Sequence, residues 1–149
     1  MNELNGYDVE DLREGMSACF SKTITEADII LFAGASGDNN AIHINEDFAR
    51  STPFGGRIAH GFLTASTISA AIANRLPGPG TIYMSQQMNF RAPVRPGGTV
   101  NATVTVKEIE ADRARVTLQT VCRVVDTVVV DGEALVKVTS AAGRLAKAG

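Results

Sequence analysis

Two hydrophobic rhythms divide the chain. Up to Leu76 apolar residues fall at helical spacing or fill whole segments, and from Thr81 onward they alternate with polar ones. Ala18 to Thr23 reads as a short first strand. Thr25 and Asp28 stand as cap and capping-box acid of a helix running to about Ala35, where Ser36-Gly37-Asp38-Asn39-Asn40 is turn chemistry. Asn45 caps a short helix over Glu46 to Arg50. After the loop Thr52-Pro53-Phe54-Gly55-Gly56, a third helix begins at His60-Gly61 and runs to Leu76, where Pro77-Gly78-Pro79-Gly80 stops it. In the alternating half, Ile82, Met84, Met88, Phe90 and Ala92 share one face. Val100, Ala102, Val104 and Val106 make a second set, and Val116, Leu118 and Cys122 a third. A last strand spans Val128 to Thr139, with Asp131-Gly132 as a bulge. These patterns predict half-buried antiparallel strands joined by tight turns.

The third helix decides the architecture. It is rich in Ala and Ser on every face and carries no charge before Arg75, so it is expected to be buried all round. Wrapping the amphipathic sheet around it achieves that, and what the sheet leaves bare must be covered by loops or by another copy. The expected fold is α+β: an antiparallel β-sheet wrapped around a long central α-helix, expected to be dimeric, in a single domain over 1–149 with residues 1–16 as an N-terminal arm.

Composition narrows the setting. At 149 residues, 44% hydrophobic and 20% charged, the chain can enclose a core without staples. A net charge of −2 without a block of like charge argues against a nucleic-acid partner. Cys19 and Cys122 form no CxxC pair, which argues against a disulfide framework and suits a reducing compartment. The polar, acidic start has no signal-peptide pattern. The charge-free stretch Gly61 to Asn74 falls short of the about 20 residues a membrane span needs. The expectation is a cytoplasmic protein with no membrane association.

Chemistry concentrates in Ser36-Gly37-Asp38-Asn39-Asn40-Ala41-Ile42-His43, which sets a carboxylate and an imidazole five residues apart. Such a pair around one water can take a proton and return one to carbon. The structural alternative stands beside it: Asp38 as a turn cap and His43 as a satisfied core histidine. Gly61 opens the buried helix, whose N-terminal N–H groups suit a developing oxyanion, and glycine permits close approach. It equally permits a tight entry turn. His60 offers a base or, with Asp38 and His43, a metal ligand, but the spacing matches no ligand pattern. Ser69, eight residues into the helix after Gly61, offers a buried hydroxyl or a bond to a carbonyl one turn back.

Taken in order, these segments resemble the MaoC-like hydratases of the hot dog superfamily, and among them the (R)-specific enoyl-CoA hydratases. The carriers are Ser36 to His43, Ile58-Ala59-His60-Gly61, Met88-Asn89-Phe90-Arg91-Ala92-Pro93-Val94-Arg95-Pro96-Gly97, and Asp131-Gly132-Glu133-Ala134. The resemblance covers about Ser17 to Thr139 and implies a hot dog fold. It implies Asp38 and His43 as a catalytic pair activating one water, the Gly61 N–H polarising a thioester carbonyl, and Ser69 as a supporting serine. It further implies an acyl-CoA or acyl-carrier-protein thioester as substrate, no metal or redox cofactor, and a homodimer or higher homo-oligomer. Ala41, Asn45 and Gly98 depart from the pattern, where a proline, an acid and an aspartate are usual. Two rivals share the fold: an acyl-CoA thioesterase, and an acyl-thioester binding module without turnover.

Overall fold

The alternation beginning at Thr81 becomes four strands, and with the strand near the N-terminus they form one antiparallel sheet. In the computed structural model, which describes residues 6–148, these are β1 (Ser17–Thr23), β2 (Ile82–Phe90), β3 (Thr99–Glu110), β4 (Arg115–Val124) and β5 (Thr127–Lys137). Their spatial order is β1-β3-β4-β5-β2. The helices are α1 (Glu26–Ser36), α2 (Ala41–Ile44), α3 (Glu46–Arg50), α4 (Gly61–Asn74) and α5 (Ala141–Ala148). The sheet curves around α4, which packs on β1, β3 and β4.

Each inward row of the strands supplies the core. Val100, Ala102, Val104 and Val106 from β3 and Val116, Leu118 and Cys122 from β4 meet Leu63, Ile68, Ala71 and Ile72 from α4. Burial of such side chains stabilises by about 1.5–3 kcal/mol each for the larger ones. The helix starts are made as their sequence dictates. Thr25 Oγ1 accepts from the Asp28 N–H while Asp28 Oδ2 accepts from the Thr25 N–H, and Asn45 Oδ1 accepts from the Phe48 N–H.

Four expectations change. α4 is not buried all round: Phe62, Ser66, Ser69 and Ala73 form an exposed stripe beside the buried face. It also ends at Asn74, because Arg75 leaves helical dihedrals before Leu76 turns into the core. β2 is not half-buried. It is an edge strand beyond the helix, and Ile82 is 61% and Phe90 51% exposed. No bulge falls at Asp131-Gly132, where the register runs unbroken against both β2 and β4. The irregularities lie at Tyr83/Ser85, Val106/Glu108 and Cys122/Arg123.

The N-terminal arm, where described, lies on the body. Gly6 and Tyr7 donate to the carbonyls of Pro79 and Pro77, and Val9 and Leu12 are buried. Residues 1–5 of the expected arm lie outside the described residues. This arm also clasps α5, a helix that sequence periodicity did not predict. Asp8 forms two hydrogen bonds with the Arg144 guanidinium, while Glu10 accepts from the Ser140 hydroxyl and the N–H groups of Ala141 and Ala142.

The clasp is a carboxylate device, and its pH dependence has a definite sign. The Arg144 hydrogen bond pulls Asp8 from 3.8 to about 2. Glu10 is also lowered, first by the Ser140 hydroxyl. Depressed carboxylate pKa values contribute stability that is present above the unfolded value and lost as pH falls through the folded one. The clasp is therefore expected to hold above 3.8 and to release as pH falls toward about 2. Backbone 15N relaxation of residues 141–148 should show fast motion appearing in that window. A helix that stays ordered below it would rule the clasp out as what holds α5.

Candidate active site

The site is assembled where α1 ends. Gly37 takes the left-handed conformation that closes the helix (φ 77°) and turns the chain back. A relay of short side chains then shapes the turn. Ser36 Oγ accepts from the Asp38 N–H, Asp38 Oδ1 accepts from the Asn40 N–H, and Asn40 Oδ1 accepts from the Ile42 N–H. The last of these caps α2, a single helical turn that carries His43 inward. One carboxylate oxygen of Asp38 is thus anchored, and the other, Oδ2, lies 3.9 Å from His43 Nε2.

The two side chains sit in different surroundings. Asp38 is half exposed, whereas the His43 side chain is only 10% exposed. His43 Nδ1 lies 2.8 Å from the Ile58 carbonyl. A carbonyl only accepts, so Nδ1 carries the hydrogen and a neutral ring presents a lone pair at Nε2, toward Asp38. Behind this pair stands His60. Its Nε2 donates to the Asp38 carbonyl at 3.0 Å, and its ring lies against that of His43, 3.9 Å between centroids and tilted by 32°.

Asp38, His43 and His60 are also the group whose ligating atoms come within 4.8 Å of one another among the described residues. Two of their ring nitrogens already donate to carbonyls. A metal ion using all three residues would draw on Asp38 Oδ2, His43 Nε2 and the remaining nitrogen of His60.

Gly61 opens α4 beside them, and no side chain caps the helix there. Its first N–H groups therefore face outward with the positive end of the helix dipole. A cavity of about 420 Å³ begins here, lined by His43, Gly61, Phe62, Phe90, Val94 and Val130 among others. A Cβ on residue 61 would come within 2.8 Å of the Phe90 ring, so the absence of a side chain at Gly61 leaves room for that ring.

Sequence reasoning and structure meet unevenly. Asp38, His43 and Gly61 come together at one end of α4. Ser69 does not join them: it is exposed on α4, about 12 Å further along the helix axis. The aromatic lining from Phe54, Phe62 and Phe90 was not anticipated, since exposed phenylalanines in separate segments leave no local signal. Three arginines near the site are held by internal contacts. Arg57 bonds Glu26 and Glu46, and the Glu26 hydrogen bonds hold its guanidinium above the ordinary range. Arg91 pairs with Asp131, and Arg95 donates to the carbonyls of Phe54, Gly56 and Arg57. The Arg57 and Arg95 contacts fix the loop that leads into α4.

A sheet curved around one helix, with a carboxylate and an imidazole at that helix's N-terminus, defines a hot dog domain with a candidate acid–base site. Residues 12–130 match the MaoC like domain, and the chain belongs to the MaoC-like dehydratase family. It is 54% identical over 129 residues to the (R)-specific enoyl-CoA hydratase of Rhodospirillum rubrum, covering 87% of this chain and 90% of that one. It is 52% identical over 136 residues to the 3-hydroxybutyryl-CoA dehydratase of Methylorubrum extorquens, covering 91% and 87%. The unliganded R-hydratase PhaJ1 of Pseudomonas aeruginosa superposes with a TM-score of 0.86 at 38% identity, over 92% of this chain and 88% of that one.

Proposed function

We propose that this chain is an (R)-specific enoyl-CoA hydratase, a hydro-lyase that adds water reversibly across the 2,3 double bond of a trans-2-enoyl-CoA. The observation that carries the reading is the Asp38–His43 pair at the N-terminus of α4, in a chain so similar to a hydratase of that specificity.

The chemistry follows from the donors and lone pairs. A water about 2.8 Å from each partner fits between Asp38 Oδ2 and His43 Nε2. The Gly61 N–H polarises the thioester carbonyl, which makes the β carbon electrophilic and stabilises the enolate. As the water oxygen bonds to the β carbon, its proton passes to the pair. Neutral His43 and a carboxylate have no spare proton, so the proton then delivered to the α carbon is the one the water gave up. The apolar cavity receives the acyl chain, and the pair works at its mouth.

The test is crotonyl-CoA mixed with the purified protein, following the enoyl-thioester absorbance. A rapid fall with (R)-3-hydroxybutyryl-CoA as product is expected. Release of free thiol instead would make the protein a thioesterase, and tight binding without turnover would make it a binding module.

We also propose that the working form is a homodimer or larger homo-oligomer closed over the bare stripe of α4 and over β2. Two features support this. Phe62 is 65% exposed at the cavity mouth, and Ile82, Met84 and Phe90 are exposed on an unpaired strand edge. Such an edge invites pairing. Among the described residues no helix is long and apolar enough to cross a membrane, so a membrane-spanning helix does not account for these surfaces. Light scattering at micromolar concentration should give at least twice the 15.7 kDa chain mass. A single-chain mass would refute the proposal.

A further inference from the structure

We propose that His60 is a positioning residue that holds the Asp38 backbone and the His43 ring, and thereby sets the gap across which the pair acts. The proposal rests on the hydratase reading of Asp38 and His43.

His60 is the N-cap residue of α4, yet its side chain makes no capping bond. The ring is turned away from the helix, is 1% exposed, and lies against two others. His43 lies at 3.9 Å between centroids and Phe32 of α1 at 4.8 Å. Its polar contact is Nε2 to the Asp38 carbonyl, and since that oxygen accepts, Nε2 holds the hydrogen. In the neutral ring Nδ1 is then a lone pair. It is one of two buried side-chain polar atoms among the described residues with no partner.

That orphan atom separates a structural role from a functional one. A phenyl ring would fill the same slot with no buried nitrogen left unpaired, so packing alone favours an apolar residue. What only the imidazole supplies is the N–H that fixes the Asp38 carbonyl. Asp38 stands at the start of a turn whose other side-chain bonds each span only two residues. Without the His60 donor, the turn keeps its caps but loses its tie to α4, the element that also presents Gly61. The carboxylate then wanders relative to both His43 and the oxyanion donor.

The experiment compares His60→Phe with His60→Gln, whose side-chain amide can donate to the same carbonyl. For His60→Phe, kcat on crotonyl-CoA should fall about 100-fold, with KM within about threefold and Tm no lower than wild type. His60→Gln should recover about tenfold or more of the lost kcat. Unchanged kcat in His60→Phe would overturn the proposal, as would a glutamine variant no better than phenylalanine or a Tm loss tracking the kcat loss in both. Backbone 15N relaxation of Asp38, Asn39 and Asn40 gives a readout that needs no turnover. Motion in His60→Phe that His60→Gln suppresses supports the tie, even if the wild type proves inert and the hydratase reading fails. A rigid turn in His60→Phe counts against it.

Discussion

Asp38→Asn is expected to lower kcat for crotonyl-CoA hydration by about 10³-fold, in the range for loss of a general acid–base group. His43→Gln should do the same. Both are expected to leave KM within about threefold, since neither side chain grips the acyl chain or the nucleotide. The Asn variant is a clean probe because the turn survives it. Its side-chain oxygen can still accept from the Asn40 N–H, as Asp38 Oδ1 does now. What disappears is the second carboxylate oxygen, 3.9 Å from His43 Nε2. The new amide group would instead donate to that nitrogen and occupy its lone pair. His43→Gln removes the Nδ1–H that bonds the Ile58 carbonyl, and with it the fixed tautomer. Asp38 is half exposed, so its neutralisation should barely move Tm. Either variant keeping a tenth of wild-type kcat would remove the pair from the mechanism.

What the sequence made legible was local. The capping box at Thr25 and Asp28, the Asn45 cap and the charge-free run after Gly61 each name their element from a few neighbouring residues, and the structure carries all three. The strand alternation of β3 and β4 was equally plain, because both lie in mid-sheet over α4 and one face of each must be apolar. What failed depended on distant partners. β2 has the same alternation, but its place at the sheet edge leaves both faces open. α2 is one turn long, too short for periodicity, and exists because Asn40 caps it. α5 is defined by Glu10 and Asp8, more than a hundred residues away in the chain. At the site, the spacing of Asp38 and His43 alone favoured the structural reading, a turn cap and a satisfied core histidine, over a pair. The family resemblance tipped it, and the 3.9 Å approach now supports it. Ser69 was expected to be buried because α4 carries no charge before Arg75, and that pattern could not say which face of α4 it occupies.

Gly132→Ala is expected to be the most damaging small change to the fold, and it turns on the place where the bulge was expected. A glycine inside a strand marks either a bulge or a close approach of another backbone. Here the register is continuous, and the second reason applies. A Cβ on residue 132 would sit 1.9 Å from the Gln87 carbonyl oxygen and 2.8 Å from the Met88 Cα. Both are backbone atoms of β2, so no side chain can rotate out of the way. The methyl must push β2 off β5 where Gly132 pairs with Met88, inside a ladder that runs from Ile82 to Phe90. A cost of about 3 kcal/mol is expected for such overpacking, or roughly 10 °C in Tm for a chain of this size. The same substitution at Gly34 supplies the contrast. That residue lies inside α1 with nothing within 4 Å of a new Cβ, so Gly34→Ala should stabilise by up to about 1 kcal/mol. Thermal melts of the two variants should therefore move in opposite directions from wild type. Because β2 is also the edge proposed to close the oligomer, Gly132→Ala should raise the monomer fraction seen by light scattering before it unfolds the chain. If Gly132→Ala melts with the wild type, β2 can yield at this point without loss, and the close backbone approach is not what requires glycine there.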